Sequence, residues 1–241
     1  DPHGHLVIKQ GLFADADSPS HHCYTAAGVD ADYYAVNVRN YHGDLYFDLR
    51  TPDKVFYDLQ LCQSTLYNVE NAVAASAAAL MCGLTEAQLR QGLKTFSGIQ
   101  RRFDYHIHTA DMVYIDDYAH HPQEIAATIE SVRYLYPGKR VVGIFQPHLY
   151  SRTRDLADGF AEALSALDEI IVLPIYPARE RPIPGVTSAL IAHKIKSMSK
   201  YYVTKEQLFE LRPALYPDLV LTMGACDIDR LVPQITELLK K

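Results

Sequence analysis

The stretch Val113-Tyr114-Ile115-Asp116-Asp117-Tyr118-Ala119-His120-His121-Pro122-Gln123-Glu124 limits the possible folds more than any other. Its apolar start reads as a strand buried on both faces. Pro122 suits the first turn of a helix, where a missing N–H costs nothing. Two carboxylates, a phenol and two imidazoles are therefore placed between the carboxyl end of a strand and a helix. Ligands bind at that place in open α/β sheets. The alternative is a solvated strand-to-helix turn, because burying such groups without partners is costly.

The chain around this stretch repeats the same rhythm. Strands are predicted at Phe103–His108, Met112–Asp116, Val141–Phe145, Glu169–Leu173, Tyr201–Val203 and Leu219–Met223. Helices are predicted at about Pro122–Leu135, Arg154–Leu167, Ser188–Lys196, Lys205–Leu211 and Ile228–Leu239. Such alternation predicts an α/β fold, with a mostly parallel sheet flanked by helices.

The earlier part differs. Short strands at His5–Ile8, Tyr33–Val38, Asp44–Leu49 and Lys54–Leu59, with a turn at His42-Gly43-Asp44, suggest an antiparallel sheet edge. Two helices follow, at about Asn68–Cys82 and Glu86–Phe96, with Thr85 as N-cap of the second. Ser97-Gly98-Ile99-Gln100-Arg101-Arg102 then breaks the pattern, which puts a domain boundary between 1–98 and 99–241. No strand–helix–strand unit precedes these strands, so the opening is expected to be the tail of a domain that begins upstream.

Composition narrows the function. The net charge is −6 with no basic tract, which argues against nucleic acid or an anionic membrane as partner. The four cysteines lack C-x-x-C spacing and read as reduced thiols. The longest apolar stretch, Ala72 to Leu84, is too short to span a bilayer. A soluble cytoplasmic protein is expected.

Several segments could carry chemistry. Asn68 and Asn71 are three apart on one helix face and could meet adenine through their carboxamides, or Asn68 could simply cap the helix. Arg101 and Arg102 could reach a phosphate from the boundary, or form a solvated basic pair. Phe145-Gln146-Pro147-His148-Leu149-Tyr150-Ser151-Arg152 repeats the strand-end pattern. If the two strands are neighbours, His148 and Arg152 face the same crevice as Asp117, Tyr118 and His120. Arg152 could hold a carboxylate in a bidentate fork, or merely pair with Asp155. Spacing gives no metal site, since no histidine pair sits four apart on a helix. His21 and His22 read as surface residues. The loop Ile175-Tyr176-Pro177-Ala178-Arg179-Glu180 could border a substrate, and Met223-Gly224-Ala225 permits close backbone approach. No G-x-x-x-x-G-K-[ST] or G-x-G-x-x-G occurs, so the chain has no phosphate-cradling loop of its own.

Together, Asp116-Asp117-Tyr118-Ala119-His120-His121-Pro122, Phe145-Gln146-Pro147-His148 with Ser151-Arg152-Thr153, Tyr176-Pro177-Ala178 with Glu180, and Asn68-Val69-Glu70-Asn71-Ala72 resemble the Mur ligases over nearly the whole chain. The likeness is strongest to the branch that joins L-alanine to UDP-N-acetylmuramate. It implies that residues 1–98 are the end of a central ATPase domain and that 99–241 form a carboxyl-terminal Rossmann-like domain. It implies ATP and magnesium as cofactors, with the magnesium ligands mainly in upstream domains of the same protein. By the same resemblance, Asn68, Asn71, Arg102 and Asp117 would contact ATP. Tyr118, His120, His148 and Arg152 would surround L-alanine, with Arg102, His120 and His148 closest to the chemistry. The isolated chain would be inactive. Three positions depart from the family pattern: Tyr67 stands where histidine is frequent, Leu149 where some members have arginine, and Cys226 where glycine is expected. A ligase for another amino acid or for murein tripeptide, and a non-catalytic binding module, remain as rivals.

Overall fold

The computed structural model describes the chain except for residues 1–3, 13–20, 27, 29, 42–43, 63–64, 198, 212–217, 226 and 241. The expected turn at His42-Gly43 and the departure at Cys226 therefore lie outside the described residues. The chain divides into two compact units, Asp1–Gly98 and Ile99–Lys241.

The first unit is a five-stranded sheet in the order β1-β2-β3-β4-β5, with β1 Leu6–Lys9, β2 His21–Thr25, β3 Tyr33–Tyr41, β4 Asp44–Arg50 and β5 Val55–Leu61. β3, β4 and β5 pair antiparallel, as expected. β1 and β2 do not. They pair parallel to each other, and β2 pairs parallel to β3. His21 and His22, read as surface residues, form the partly exposed start of β2.

Alternation along β4 buries Leu45, Phe47 and Leu49 completely. Asp48 on the same strand is also buried. Its carboxylate accepts from Asn37 Nδ2 at 2.8 Å and from the Asp58 amide at 2.9 Å. Both partners sit at positive φ beside the irregular registers of β3 and β5, so one carboxylate ties two bulges.

α1 (Leu66–Met81) buries Val69, Ala72, Val73, Ser76 and Ala77 along one stripe. The Ser76 hydroxyl donates to the Ala72 carbonyl at 2.6 Å, which satisfies it inside the core. Thr65, not Asn68, is the N-cap. Thr85 caps α2 (Glu86–Thr95) in a capping box with Gln88.

The second unit holds a six-stranded sheet in the order β10-β9-β8-β11-β7-β6. Its strands are β6 Asp104–His108, β7 Val113–Asp117, β8 Val141–Phe145, β9 Glu169–Val172, β10 Ser199–Tyr202 and β11 Leu219–Met223. All pairings are parallel except that of the edge strand β6 with β7. Every residue of β7, β8, β9 and β11 is buried, as strands covered on both faces should be.

α3 (Pro122–Leu135), α5 (Ala157–Leu164) and α6 (Ala189–Lys194) pack beside one another on one face. There the rings of Phe145 and Phe160 lie 5.3 Å apart, and Gly143 makes room for Leu167. A Cβ at Gly143 would come within 2.4 Å of that leucine. α7 (Lys205–Leu208), a 3-10 turn at Asp227–Leu231 and α8 (Val232–Leu239) cover Tyr114, Val142, Ile144, Ile171 and Val220 on the other face.

Two helices differ from expectation. The span 154–167 is broken at Leu156 into α4 (Tyr150–Asp155) and α5. The span 228–239 begins as the 3-10 turn. No helix among the described residues is long and apolar enough to cross a membrane.

Candidate active site

β7 and β8 are not neighbours, because β11 lies between them and pairs with both. Their loops meet nevertheless. β11 is followed by Gly224 and Ala225, both buried, whose small size lets the chain after β8 pass close by. Gly224 has φ +148, and a Cβ there would lie 2.8 Å from the Gln146 carbonyl oxygen. The chain after β7 and β8 turns to one face, and the chain after β11 turns to the other. That divergence opens a crevice at the strand ends.

The side chains at this crevice form a connected series. The Tyr118 ring meets the His120 ring edge-on with centroids 5.2 Å apart. His120 meets His148 edge-on at 6.1 Å, and His148 stacks on Tyr176 at 6.0 Å. Arg152 Nη1 is 3.5 Å from His148 Nδ1. A guanidinium can only donate, so the neutral tautomer that fits this contact has Nδ1 as acceptor. Burial, then the Arg152 and His120 charges, hold the His148 imidazole below its ordinary pKa. Asp155 pairs with Arg154, not with Arg152.

Supporting groups fix this series. Leu149 N donates to Tyr176 O at 3.0 Å, and Leu149 itself takes φ +67, a strained value for a leucine. The Ser151 amide donates to Glu180 at 2.9 Å, and the Ser151 hydroxyl donates to the same carboxylate. These bonds hold the 175–180 loop against the start of α4.

Not every polar residue of the opening motif faces the crevice. Asp117 is buried and spends both oxygens on backbone, accepting from Phe103 N at 2.9 Å and Ala119 N at 2.7 Å. His121 is the N-cap of α3, with Glu124 completing the capping box. His120 is left as the imidazole available to the crevice, its Nδ1 3.0 Å from Tyr118 O. Asn68 and Asn71 belong to the first unit, where Asn71 Nδ2 donates to Asn68 Oδ1 at 3.0 Å. Among the described residues no group of three His, Cys, Asp or Glu could hold a metal ion.

The adjacent arginines separate. Arg102 is exposed. Arg101 turns inward, its backbone at φ +63. Its Nε donates to Asp116 at 3.2 Å, its Nη2 donates to Gly224 O at 2.6 Å, and its guanidinium lies 5.1 Å from the Tyr118 ring centroid. Tyr118 N donates back to Arg101 O at 2.7 Å. This clamp was not legible in the sequence beyond the basic pair. Tyr176 was legible only as part of a strand-end loop.

Comparison with known proteins places the chain in a family. Residues 101–226, just over half of the chain, match the model of the Mur ligase, glutamate ligase domain. The chain belongs to the Mur ligases. It is 45% identical over 243 aligned residues to the UDP-N-acetylmuramate–L-alanine ligase of Parabacteroides distasonis, covering all of this chain and 52% of that protein. The crystal structure of UDP-N-acetylmuramate-alanine ligase MurC from Thermotoga maritima superposes with a TM-score of 0.72 at 27% identity, over 90% of this chain and 47% of that one. MurF from Acinetobacter baumannii gives the same TM-score at 17% identity, over all of this chain and 52% of that chain, and shares the fold alone. The chain thus spans about half the length of the curated relatives it matches.

Proposed function

We propose that this chain is the carboxyl-terminal part of an ATP-dependent ligase that joins L-alanine to UDP-N-acetylmuramate in peptidoglycan precursor synthesis in the cytoplasm. The observation that carries the reading is the convergence of Tyr118, His120, His148 and Arg152 at one crevice. The identity to curated L-alanine ligases supports the choice of substrate.

In this reading residues 1–98 end a central ATPase domain, and 99–241 form the domain that brings the amino acid. The muramyl carboxylate attacks the γ-phosphorus of ATP, ADP leaves, and an acyl phosphate forms. The deprotonated amine of L-alanine attacks the acyl carbon, and the tetrahedral intermediate expels phosphate. Arg152 forks the alanine carboxylate. His148, kept neutral by burial, presents its Nε2–H to substrate oxygens, His120, whose Nδ1 donates to the Tyr118 carbonyl, keeps Nε2 free to take the ammonium proton, and Tyr118 closes the pocket. Arg102 reaches the phosphates from the boundary. Asn68 and Asn71 serve the adenine, and Asp117 fixes the turn that carries Tyr118. Magnesium finds no ligand cluster among the described residues, and no step is assigned to it.

The test is phosphate release by the full-length parent with ATP, magnesium and UDP-N-acetylmuramate, adding L-alanine, glycine, L-serine, D-glutamate or murein tripeptide in turn. Release strongest with L-alanine is expected. Release only with tripeptide would assign the recycling reaction, and none with any would leave a binding module. The 241-residue chain alone is expected to show no turnover, and turnover would refute the division of labour.

A further inference from the structure

The short helix α4 carries Arg152 and follows closely on His148, but its own N-cap residue gives it no side-chain cap. That residue is Leu149, which cannot accept from the first amides of the helix. The acceptor comes instead from 29 residues further along the chain. Glu180 accepts from the Ser151 amide at 2.9 Å and from the Ser151 hydroxyl. The Ser151 hydroxyl, then its amide, hold the Glu180 carboxyl below its ordinary pKa, so it is ionised near neutral pH.

The rest of the 175–180 loop grips the same few residues. Leu149 N donates to Tyr176 O at 3.0 Å and Tyr176 N donates to Pro147 O at 2.8 Å, so the loop pairs with backbone on both sides of His148. Glu180 N donates to Pro177 O at 2.9 Å, and this turn, with Ala178 at φ +50, brings the carboxylate back onto Ser151. Arg152 has little else to fix it. Its hydrogen-bond contact among the described residues is His148 Nδ1 at 3.5 Å, at the limit of such a bond. The aim of its guanidinium is therefore set by where α4 begins, and α4 begins where Glu180 holds it.

We propose that Glu180 is a positioning residue: it fixes the start of α4 so that Arg152 and His148 meet one ligand together. That this ligand is the amino acid rests on the ligase reading; the capping does not.

Glu180→Leu in the full-length parent should raise the KM for L-alanine about fivefold, with the KM for ATP little changed. Glu180→Gln is the conservative control. Its amide can accept from the Ser151 amide and donate to the Ser151 hydroxyl, and should restore most of the loss. In an Arg152→Lys background, Glu180→Leu should add less than about twofold, because it acts through that arginine. The 241-residue chain supplies a readout without activity. There Glu180→Leu, and not Glu180→Gln, should broaden the Arg152 Nε–Hε and His148 ring signals in NMR spectra, with hydrogen exchange of the β7 and β11 amides unchanged. Ser151→Ala, which loses only the hydroxyl bond, serves where Glu180→Leu fails to fold, and should raise the same KM by a smaller factor. A parent that releases no phosphate with L-alanine refutes the ligase reading and leaves the spectra to decide on Glu180. An active parent whose L-alanine KM is unmoved by Glu180→Leu, a full further loss in the Arg152→Lys background, or unmoved spectra would overturn the proposal.

Discussion

Arg101→Met tests the clamp beneath the crevice. Asp116 is 1% exposed, and its only cation within salt-bridge distance among the described residues is Arg101. Removing one partner of a buried pair costs about 3–5 kcal/mol. Thr222 Oγ1 still donates to Asp116 Oδ1 at 2.6 Å, which favours the low end. The lost bond to Gly224 O adds about 1 kcal/mol, and the lost contact with the Tyr118 ring adds about 0.5–1 kcal/mol. A cost of about 4 kcal/mol is expected near pH 7, since such terms do not add fully.

The pH dependence distinguishes this account from simple loss of packing. Burial raises the Asp116 carboxyl above its ordinary pKa, while Thr222 and Arg101 lower it. Without Arg101 it rises further. A carboxyl whose folded pKa is raised costs stability as pH climbs from the unfolded value, 3.8, through the folded one. The penalty of Arg101→Met is therefore large at neutral pH and shrinks in acid, by about 1.4 kcal/mol for each unit of extra shift relieved.

Native-state hydrogen exchange of β7 and β11 amides reads the opening free energy of the second unit alone, so the two-unit chain need not unfold in one step. Histidines common to parent and variant cancel in the difference. Asp116→Asn in the Arg101→Met background should recover most of the loss. A penalty below about 1 kcal/mol near neutral pH, or one equal at about pH 5 and pH 7, would refute the reasoning.

Three further outcomes are expected. Gly224→Ala sets a Cβ 2.8 Å from the Gln146 carbonyl at φ +148, and should cost about 1–3 kcal/mol in the same exchange measurement. In the full-length parent, Arg152→Lys keeps the charge but loses the fork, so the KM for the amino acid should rise severalfold with that for ATP little changed. An unchanged amino-acid KM removes Arg152 from the carboxylate site. His148 titrates below its ordinary 6.5, so parent stability falls relative to His148→Gln as pH drops below that value, and thermal denaturation at several pH values checks the sign.

The elements were legible where local pattern alone decides them. Short apolar runs gave β7, β8 and β11, the first two leading into polar groups, and Pro122 with Glu124 marked the start of α3. The same two residues also identify His121 as the cap: with proline at the first helical position, residue 121 is the N-cap and Glu124 falls at N3. Sheet order was not legible. β11 is inserted between β7 and β8 from about a hundred residues away, and no local period encodes that register. The break at Leu156 was hidden for a similar reason. Gly159 of α5 seats against Pro122 of α3, 3.2 Å from where its Cβ would be, a tertiary contact that no local period encodes. Arg101 and Arg102 are alike in sequence, and only positive φ at Arg101 and Phe103 sends one guanidinium into the sheet end and the other to the surface. The site is thus spelled by residues that follow strands, but assembled by β11, whose contribution is the small size of Gly224 and Ala225. The close backbone approach that Met223-Gly224-Ala225 permits was legible, but its partner, the Gln146 carbonyl of the loop that carries His148, was not.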